Sequence, residues 1–371
     1  MESCDVLIVG GGPAGSACAG RLRRAGLDVA VMDQAIFPRD KVCAGWITPQ
    51  VVEELQIDVD EYRARRTFQP ITGFRIGLVG REEAVEVRYG HPVSYGILRC
   101  EFDHYLLQRS GARLRLGERV SSIRRDDRGW IVNEAVRASM LVGAGGHFCA
   151  VSRFLNGVAD RAGVIAAQEA ECLIDPARDR IAVDADRPEL YFCPDLGGYG
   201  WCFRKQGYLN VGFGRFDART LPRHTADFVA FLAAQGRLSA PGALRWRGHA
   251  YRVFGSPRRR LVDTAVVLVG DAAGLAYAES GEGIRPAIES GLLAASTIIE
   301  SGGNYARDRL QIYDERIRER FDAGVCSRAA KRLVSGVVSR AVASHLLRSR
   351  WFVRHVVLDR WFLHAQAVAL H

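Results

Sequence analysis

The chain has 371 residues, 48% of them apolar and 25% charged, with 39 Gly and 12 Pro. That mass supports one large or two intimately joined globular domains, and it excludes disordered, collagen-like and disulfide-stapled classes. The formal charge is +9, yet Lys41, Lys205 and Lys331 are the only lysines among 51 basic residues. Arg dispersed along a sequence forms no binding stripe, so no nucleic-acid partner is expected. Nine cysteines make no CxxC pair and no Cys/His metal spacing, and an odd number cannot all pair within one chain. Reduced, mostly buried thiols, no metal site and a cytoplasmic setting are expected. Met1 to Asp5 carries no basic n-region and the apolar run behind it is only Val6 to Val9, so no signal peptide is expected. No apolar stretch approaches the roughly 18 residues needed to span a bilayer.

Val6-Leu7-Ile8-Val9 ends in Gly10-Gly11-Gly12-Pro13-Ala14-Gly15. A small-residue stretch of helical period, Ser16 to Ala25, follows before Val29-Ala30-Val31-Met32 and Asp33. Strand, tight turn, helix, strand is the order of a βαβ unit. Within it G-x-G-x-x-G falls on Gly10, Gly12 and Gly15: the first permits the tight turn, the second lets a pyrophosphate approach the backbone, and the third lets helix and strand pack closely. The free N–H groups and dipole of the helix start then face the diphosphate. Asp33, about twenty residues on, is placed to accept hydrogen bonds from an adenosine ribose. An adenine dinucleotide is expected here.

A later element selects which one. Ala265 to Leu268 is an apolar strand running into Val269-Gly270-Asp271-Ala272-Ala273-Gly274. Gly281-Glu282-Gly283-Ile284 then leads into a helix from about Arg285 to Ile299. A strand ending in Gly-Asp puts one carboxylate at the C-terminal edge of a sheet, where ribityl hydroxyls could be its partners. The next helix start offers backbone donors to negative charge on a reduced isoalloxazine. This points to FAD rather than NAD.

VLIVGGGPAGSACAGRLRRAG, FPRDKVCAG (Phe37 to Gly45), LRCEFDHYL (Leu98 to Leu106), VGAGGHFCAVSR (Val142 to Arg153), GYGWCFRKQGYLNVGFG (Gly198 to Gly214) and VGDAAGLAYAESGEGI (Val269 to Ile284) stand in order. In this the chain resembles the geranylgeranyl-reductase-like FAD-dependent oxidoreductases of the p-hydroxybenzoate-hydroxylase-type group, over about residues 3 to 300. The resemblance implies an ADP-binding set of Gly10, Gly12, Pro13, Ala14, Gly15, Asp33 and Gln34. It places Arg99 at the FAD phosphates or ribityl chain, Val120 beside the adenine, and Gly145 in the third nucleotide-side motif. Gly270, Asp271, Gly281, Gly283 and Ile284 fall on the ribityl and ring side, and Lys41-Val42-Cys43-Ala44-Gly45 on a loop over the isoalloxazine. Three departures stand out. The loop reads Cys-Ala-Gly-Trp instead of Cys-Gly-Gly, Arg204 replaces a usual Pro, and Arg285-Pro286 follow Gly-Glu-Gly-Ile where two aromatics are usual. The cofactor site reads as intact and the substrate site as reassigned.

The expected fold is α/β. A discontinuous Rossmann-like FAD-binding domain comprises residues 1–68, 98–159 and 251–300. An inserted antiparallel-sheet substrate domain comprises 69–97 and 160–250, and a C-terminal helical region 301–371. Trp46, Tyr199, Trp201 and Phe203 either line a pocket between sheet and flavin or belong to the sheet core. From Arg332 to Leu370 the tail mixes apolar and aromatic residues with Arg340, Arg348, Arg350, Arg354 and Arg360. Such helices either cap their own domain or lie peripherally on anionic lipid at the inner membrane surface.

Cys43 is the sharpest reactive candidate, against the reading of a small buried hydrophobe. Tyr277 and Glu279 lie on the loop between Asp271 and Gly283 and are acid/base candidates if desolvated. His147 is expected to pack locally. FAD chemistry leaves two reactions open on a lipophilic small molecule. One is hydride reduction of a carbon–carbon double bond in a prenyl-like or polyketide-like substrate, favoured by the motifs. The other is hydroxylation of an aromatic intermediate through a flavin C4a-hydroperoxide. A third reading is a maturation factor that binds or oxidises a side chain of a partner protein. No second glycine fingerprint of the strand-helix-strand kind occurs, so NAD(P)H would visit transiently or a separate electron donor would serve.

Overall fold

The computed structural model describes residues 1–157, 163–177, 179, 181–238, 244–255, 259–322 and 345–370. An eight-stranded sheet carries the first layer. Its path runs Val262–Asp263, Val266–Leu268, Val136–Gly143, Glu2–Val9, Val29–Asp33, Arg113–Leu116, with Gly129–Val132 and Ile123–Asp126 added as antiparallel strands. The pairs Leu7↔Leu141, Val6↔Val29, Val31↔Leu114 and Val142↔Val267 are all parallel. Strands covered on both faces must be apolar throughout, which is why Val6, Leu7 and Ile8 form a continuous run and are fully buried. Because these strands run the same way, the turns after Val9, Asp33, Gly143 and Leu268 all open on one edge.

Glycines bring the two remote turns together. At Gly10, with φ +115°, a Cβ would lie 2.3 Å from the Ala144 carbonyl oxygen. Gly291, in helix Ile284–Glu300, lets that helix cross Pro13–Arg24 so closely that a Cβ would stand 2.3 Å from the Ala14 oxygen, and Gly270 faces the Ala14 methyl group.

The second layer is a seven-stranded sheet in the order Arg247–Arg252, Val164–Leu173, Tyr208–Arg215, Gly198–Lys205, Glu189–Phe192, Gly73–Leu78, Ala84–Arg88. It is antiparallel except where Glu189–Phe192 runs parallel to Gly73–Leu78. Residues 69–97 are shared: Gln69–Ile71 and Ser94–Gly96 join Trp46–Ile47 in a separate three-stranded sheet. The expected domain limit at residue 251 falls inside strand Arg247–Arg252.

Alternation on Gly198–Lys205 assigns its two faces. Gly200 and Cys202 point to helix Leu221–Ala234, where a Cβ on Gly200 would sit 2.5 Å from the Phe228 ring. Trp201 and Phe203 point the other way and pack with Trp46, Phe74 and a C-terminal strap. The strap contributes Leu347, Val353, Val357, Leu358, Phe362 and Leu363, all buried, and winds as a π-helix over Val353–Phe362. Its apolar side thus caps the chain's own sheet, while Trp351 is 67% exposed. The expected tail residues Leu333, Val337, Val338 and Arg340 lie outside the described residues. Among those described, no helix is long and apolar enough to cross a membrane.

Candidate active site

A cavity of about 620 Å³ opens at the shared edge and runs to the antiparallel sheet, well within the range of roughly 300–1,000 Å³ usual for ligand clefts. Its first half is built by the glycine turn. Gly12 caps helix Pro13–Arg24 without a side-chain acceptor, and Pro at the first helical position lacks an N–H that would be orphaned anyway. Asp33 holds the turn by accepting from Gly11 N at 2.7 Å and Ala35 N at 2.8 Å. Buried Asp103 accepts both arms of Arg99, at 2.7 and 2.8 Å, and Arg39 at 3.1 Å. Arg39 Nη1 is buried with no partner among the described residues. Arg39 and Arg99 line the cavity with Gly10 and Gly12, so this stretch of wall holds unspent cationic and backbone donors. It fits a diphosphate.

Further along, Lys41 and His249 face Asp271. Lys41 Nζ stands 2.9 and 3.1 Å from the two ring nitrogens of His249, whose Nε2 is 3.7 Å from Asp271 Oδ2. Burial pushes the Lys41 ammonium down to about 8 against the pull of Asp271. Burial also lowers His249. For Asp271 burial acts upward, but His249, Lys41 and Arg99 together hold the carboxyl below its usual value. Such a carboxylate, left open because Gly283 lacks the Cβ that would stand 3.3 Å from Asp271 Oδ1, suits the ribityl hydroxyls of FAD.

The loop from Lys41 to Trp46 is hung from the second sheet. Cys43 N donates to Glu169 Oε2 at 2.6 Å. Beneath it Lys205, fully buried, pairs with Glu171 at 2.5 Å, and Asn210 bridges Glu171 to Trp201 Nε1. A Cβ on Gly45, which has φ +68°, would lie 2.6 Å from Lys205 Nζ. Burial, opposed by Lys205, raises Glu169 to about 7.

The far end is aromatic: Trp46, Tyr199, Trp201 and Tyr251 line it with Ala167 and Ala276. Tyr199 is fixed by donating its hydroxyl to the Ser280 carbonyl. The Tyr251 hydroxyl occupies the place of a side chain on Gly281, φ +71°. Glu282 closes this end. Its Oε1 accepts from Arg285 N at 3.2 Å, and its buried Oε2 has no partner among the described residues. Burial raises its carboxyl to about 7, opposed by the Arg285 charge.

Residues 3–328 match the family described as FAD binding domain. Menaquinone reductase of Mycolicibacterium smegmatis is 30% identical over 327 residues, 81% of this chain and 77% of that protein. Chloroplastic geranylgeranyl diphosphate reductase of Oryza sativa subsp. japonica is 29% identical over 332 residues, 81% of this chain and 68% of that one. Among solved structures, a geranylgeranyl bacteriochlorophyll reductase-like protein from Thermoplasma acidophilum overlays with a TM-score of 0.78 at 22% identity, covering 99% and 98% of the two chains. The chain belongs to the geranylgeranyl-reductase-like family of FAD-dependent oxidoreductases.

For this FAD-dependent oxidoreductase the cavity gathers most of the residues singled out by sequence. Gly10, Gly12, Pro13, Ala14, Asp33, Gln34, Lys41, Cys43, Ala44 and Trp46 line it, as do Arg99, Val120, Gly145, Tyr199, Trp201, Asp271, Gly281, Gly283 and Ile284. Gly15 and Gly270 stand behind the lining, where each permits close packing against Gly10 or Ala14. Three candidates fall elsewhere. Phe203 is fully buried in the sheet core against Trp46. Tyr277 does not line the cavity: its ring stacks on His364 of the strap, with centroids 3.6 Å apart. Glu279 does not line it either. Arg285, read as part of a reassigned substrate site, instead has its side chain wholly buried beside Glu54 and Glu289 and bonds strap carbonyls. His249, Tyr251, Glu169 and Glu282 were missed. The alternation of His249 and Tyr251 on Arg247–Arg252 was the available signal for two of them.

Proposed function

We propose that this oxidoreductase reduces a carbon–carbon double bond in a lipophilic, prenyl-type chain. The carrying observation is the far end of the cavity, where four aromatic rings and two alanines share one space with Cys43 and the buried carboxyl of Glu282. In this reading the turn Gly10 to Gly15 and Arg39 hold the FAD diphosphate, Asp271 the ribityl chain, and the Lys41–Gly45 loop covers the ring. Bound FAD supplies hydride chemistry. The chain's own residues do the rest. Trp46, Tyr199, Trp201 and Tyr251 exclude water and align the olefin. Glu282, neutral below about pH 7, holds a proton at its carboxyl for the second carbon, and the Cys43 thiol orients the reacting segment. The names of the relatives, a menaquinone reductase and a geranylgeranyl diphosphate reductase, support a prenyl-type substrate.

The test is anaerobic. Holoprotein reduced under nitrogen is mixed with a prenylated quinone or a prenyl diphosphate. Flavin reoxidation without dioxygen, with a product heavier by two hydrogens, is expected. Reoxidation only on adding dioxygen, with an oxygen atom in the product, would replace this reading with hydroxylation. Supplying NADH, NADPH or a reduced electron-transfer protein as sole reductant identifies the donor.

A further inference from the structure

We infer that the C-terminal strap sets the chain length this cavity accepts, with Phe362 fixing its depth. This rests on the lipophilic-chain reading above. The strap lies beyond residues 3–328, which match the FAD binding domain. Phe362 is buried, and its ring meets three others: Tyr199 at 5.4 Å between centroids, Trp46 at 6.2 Å and Phe192 at 6.3 Å. Trp46 and Tyr199 line the aromatic end of the cavity, so Phe362 is the backstop of its wall. Tyr199 is tied to Ser280 by its hydroxyl, and neither ring can swing outward while Phe362 stays in place.

The strap is held on both sides of that ring. Before it, Asp359 accepts from Tyr89 at 2.6 Å and Arg354 reaches the Arg88 carbonyl. After it, Arg285 donates to the carbonyls of His364 and Ala367 at 3.3 and 2.8 Å, Arg320 donates to that of Val368 at 2.6 Å, and Leu370 N donates to Glu54. A ring clamped between two anchors is a fixed depth stop. Replacing it with a methyl group vacates about the bulk of one isoprene unit directly behind Trp46 and Tyr199.

Oxidised holoprotein is titrated with naphthoquinones whose side chains lengthen one isoprene unit at a time, and binding is read from the flavin absorption spectrum without turnover. Phe362→Ala should move the affinity cut-off one unit longer, changing the ratio of Kd values for the two flanking lengths by at least about tenfold. Phe362→Leu, which keeps the strap packed, should give a smaller shift in the same direction and serves alone if the Ala variant fails to fold. Val353→Ala, also buried in the strap, should leave the length profile unchanged. Identical profiles for wild type and the Phe362 variants, or an equal shift in Val353→Ala, would overturn the inference. A wild-type flavin spectrum unmoved by any length would instead refute the lipophilic-chain reading itself.

Discussion

Replacing Glu282 with Gln should make the apoprotein more stable and the enzyme worse. The carboxyl is raised from 4.5 to about 7, first by burial, with the Arg285 charge and its N–H opposing. The native state therefore retains this proton between those values while the unfolded chain releases it. The cost to the native state grows as pH rises through the window and reaches ~3 kcal/mol once the group is ionised in both states. A neutral isostere removes that cost. Urea unfolding of apoprotein should show Glu282→Gln more stable by roughly 2–3 kcal/mol near pH 8.5 and nearly equal to wild type near pH 4, at unchanged m. Turnover of the holoenzyme should fall by about 10²–10⁴, with loss of the pH-profile limb near 7. A variant destabilised at pH 8.5, or a stability difference that ignores pH, would refute the burial argument. Full kcat with an unaltered profile would refute the proton-delivery role while leaving the burial argument standing.

Gly12→Val should fold but emerge with under about a tenth of the wild-type flavin absorbance per chain. A Cβ there meets only Arg39 at 3.6 Å, so the protein tolerates it and the diphosphate does not. Normal flavin content would break the assignment of this turn. Arg285→Met should cost ~3–5 kcal/mol in urea unfolding, because Glu54 and Glu289 are left buried with Arg320 as their cation; a loss under about 1 kcal/mol would contradict the role of this buried pairing. Glu54, pushed up to about 8 by burial and by Glu289, has the same sign as Glu282. Wild-type apoprotein should therefore lose stability as pH climbs from about 5 to 8, and a Cm rising over that window would count against both groups.

The parallel layer was legible because its signals are local: an apolar run, glycines at fixed offsets and a carboxylate at the strand end. At Gly10, Gly15 and Gly291 a Cβ would lie within 2.4 Å of a backbone oxygen, and steric demands of that kind leave glycine as the only residue that fits. The loop candidates Tyr277 and Glu279 stand outside the cavity lining for a different reason. Proximity in sequence to Asp271 and Gly283 does not say which way a side chain turns, and Tyr277 turns to His364, 87 positions later, a partner no pattern within the loop could reveal. Glu169 was illegible on the same ground, and the alternation of His249 with Tyr251 marks one strand face without saying what that face meets. The partners of Glu169 and His249, which are Cys43 and Lys41, are brought to them only when the antiparallel sheet packs on the parallel one.

Arg285 joins two features that look separate in the sequence. A guanidinium with no exposed surface is tolerable only if every donor is met and its charge balanced. Helix Ile284–Glu300 supplies Glu289 and the segment near residue 54 supplies Glu54, but the remaining donors are met by carbonyls of the strap. The strap in turn has few bonds of its own at that end, since residues 364–370 form no helix or strand and depend on Arg285, Arg320 and Glu54 for their backbone partners. Each is therefore a condition of the other. The buried charge at position 285 thus serves the strap, whose Phe362 packs on Trp46 and Tyr199 of the cavity lining. A residue one position beyond Ile284 of the cavity lining is in this way tied to the aromatic end without lining it.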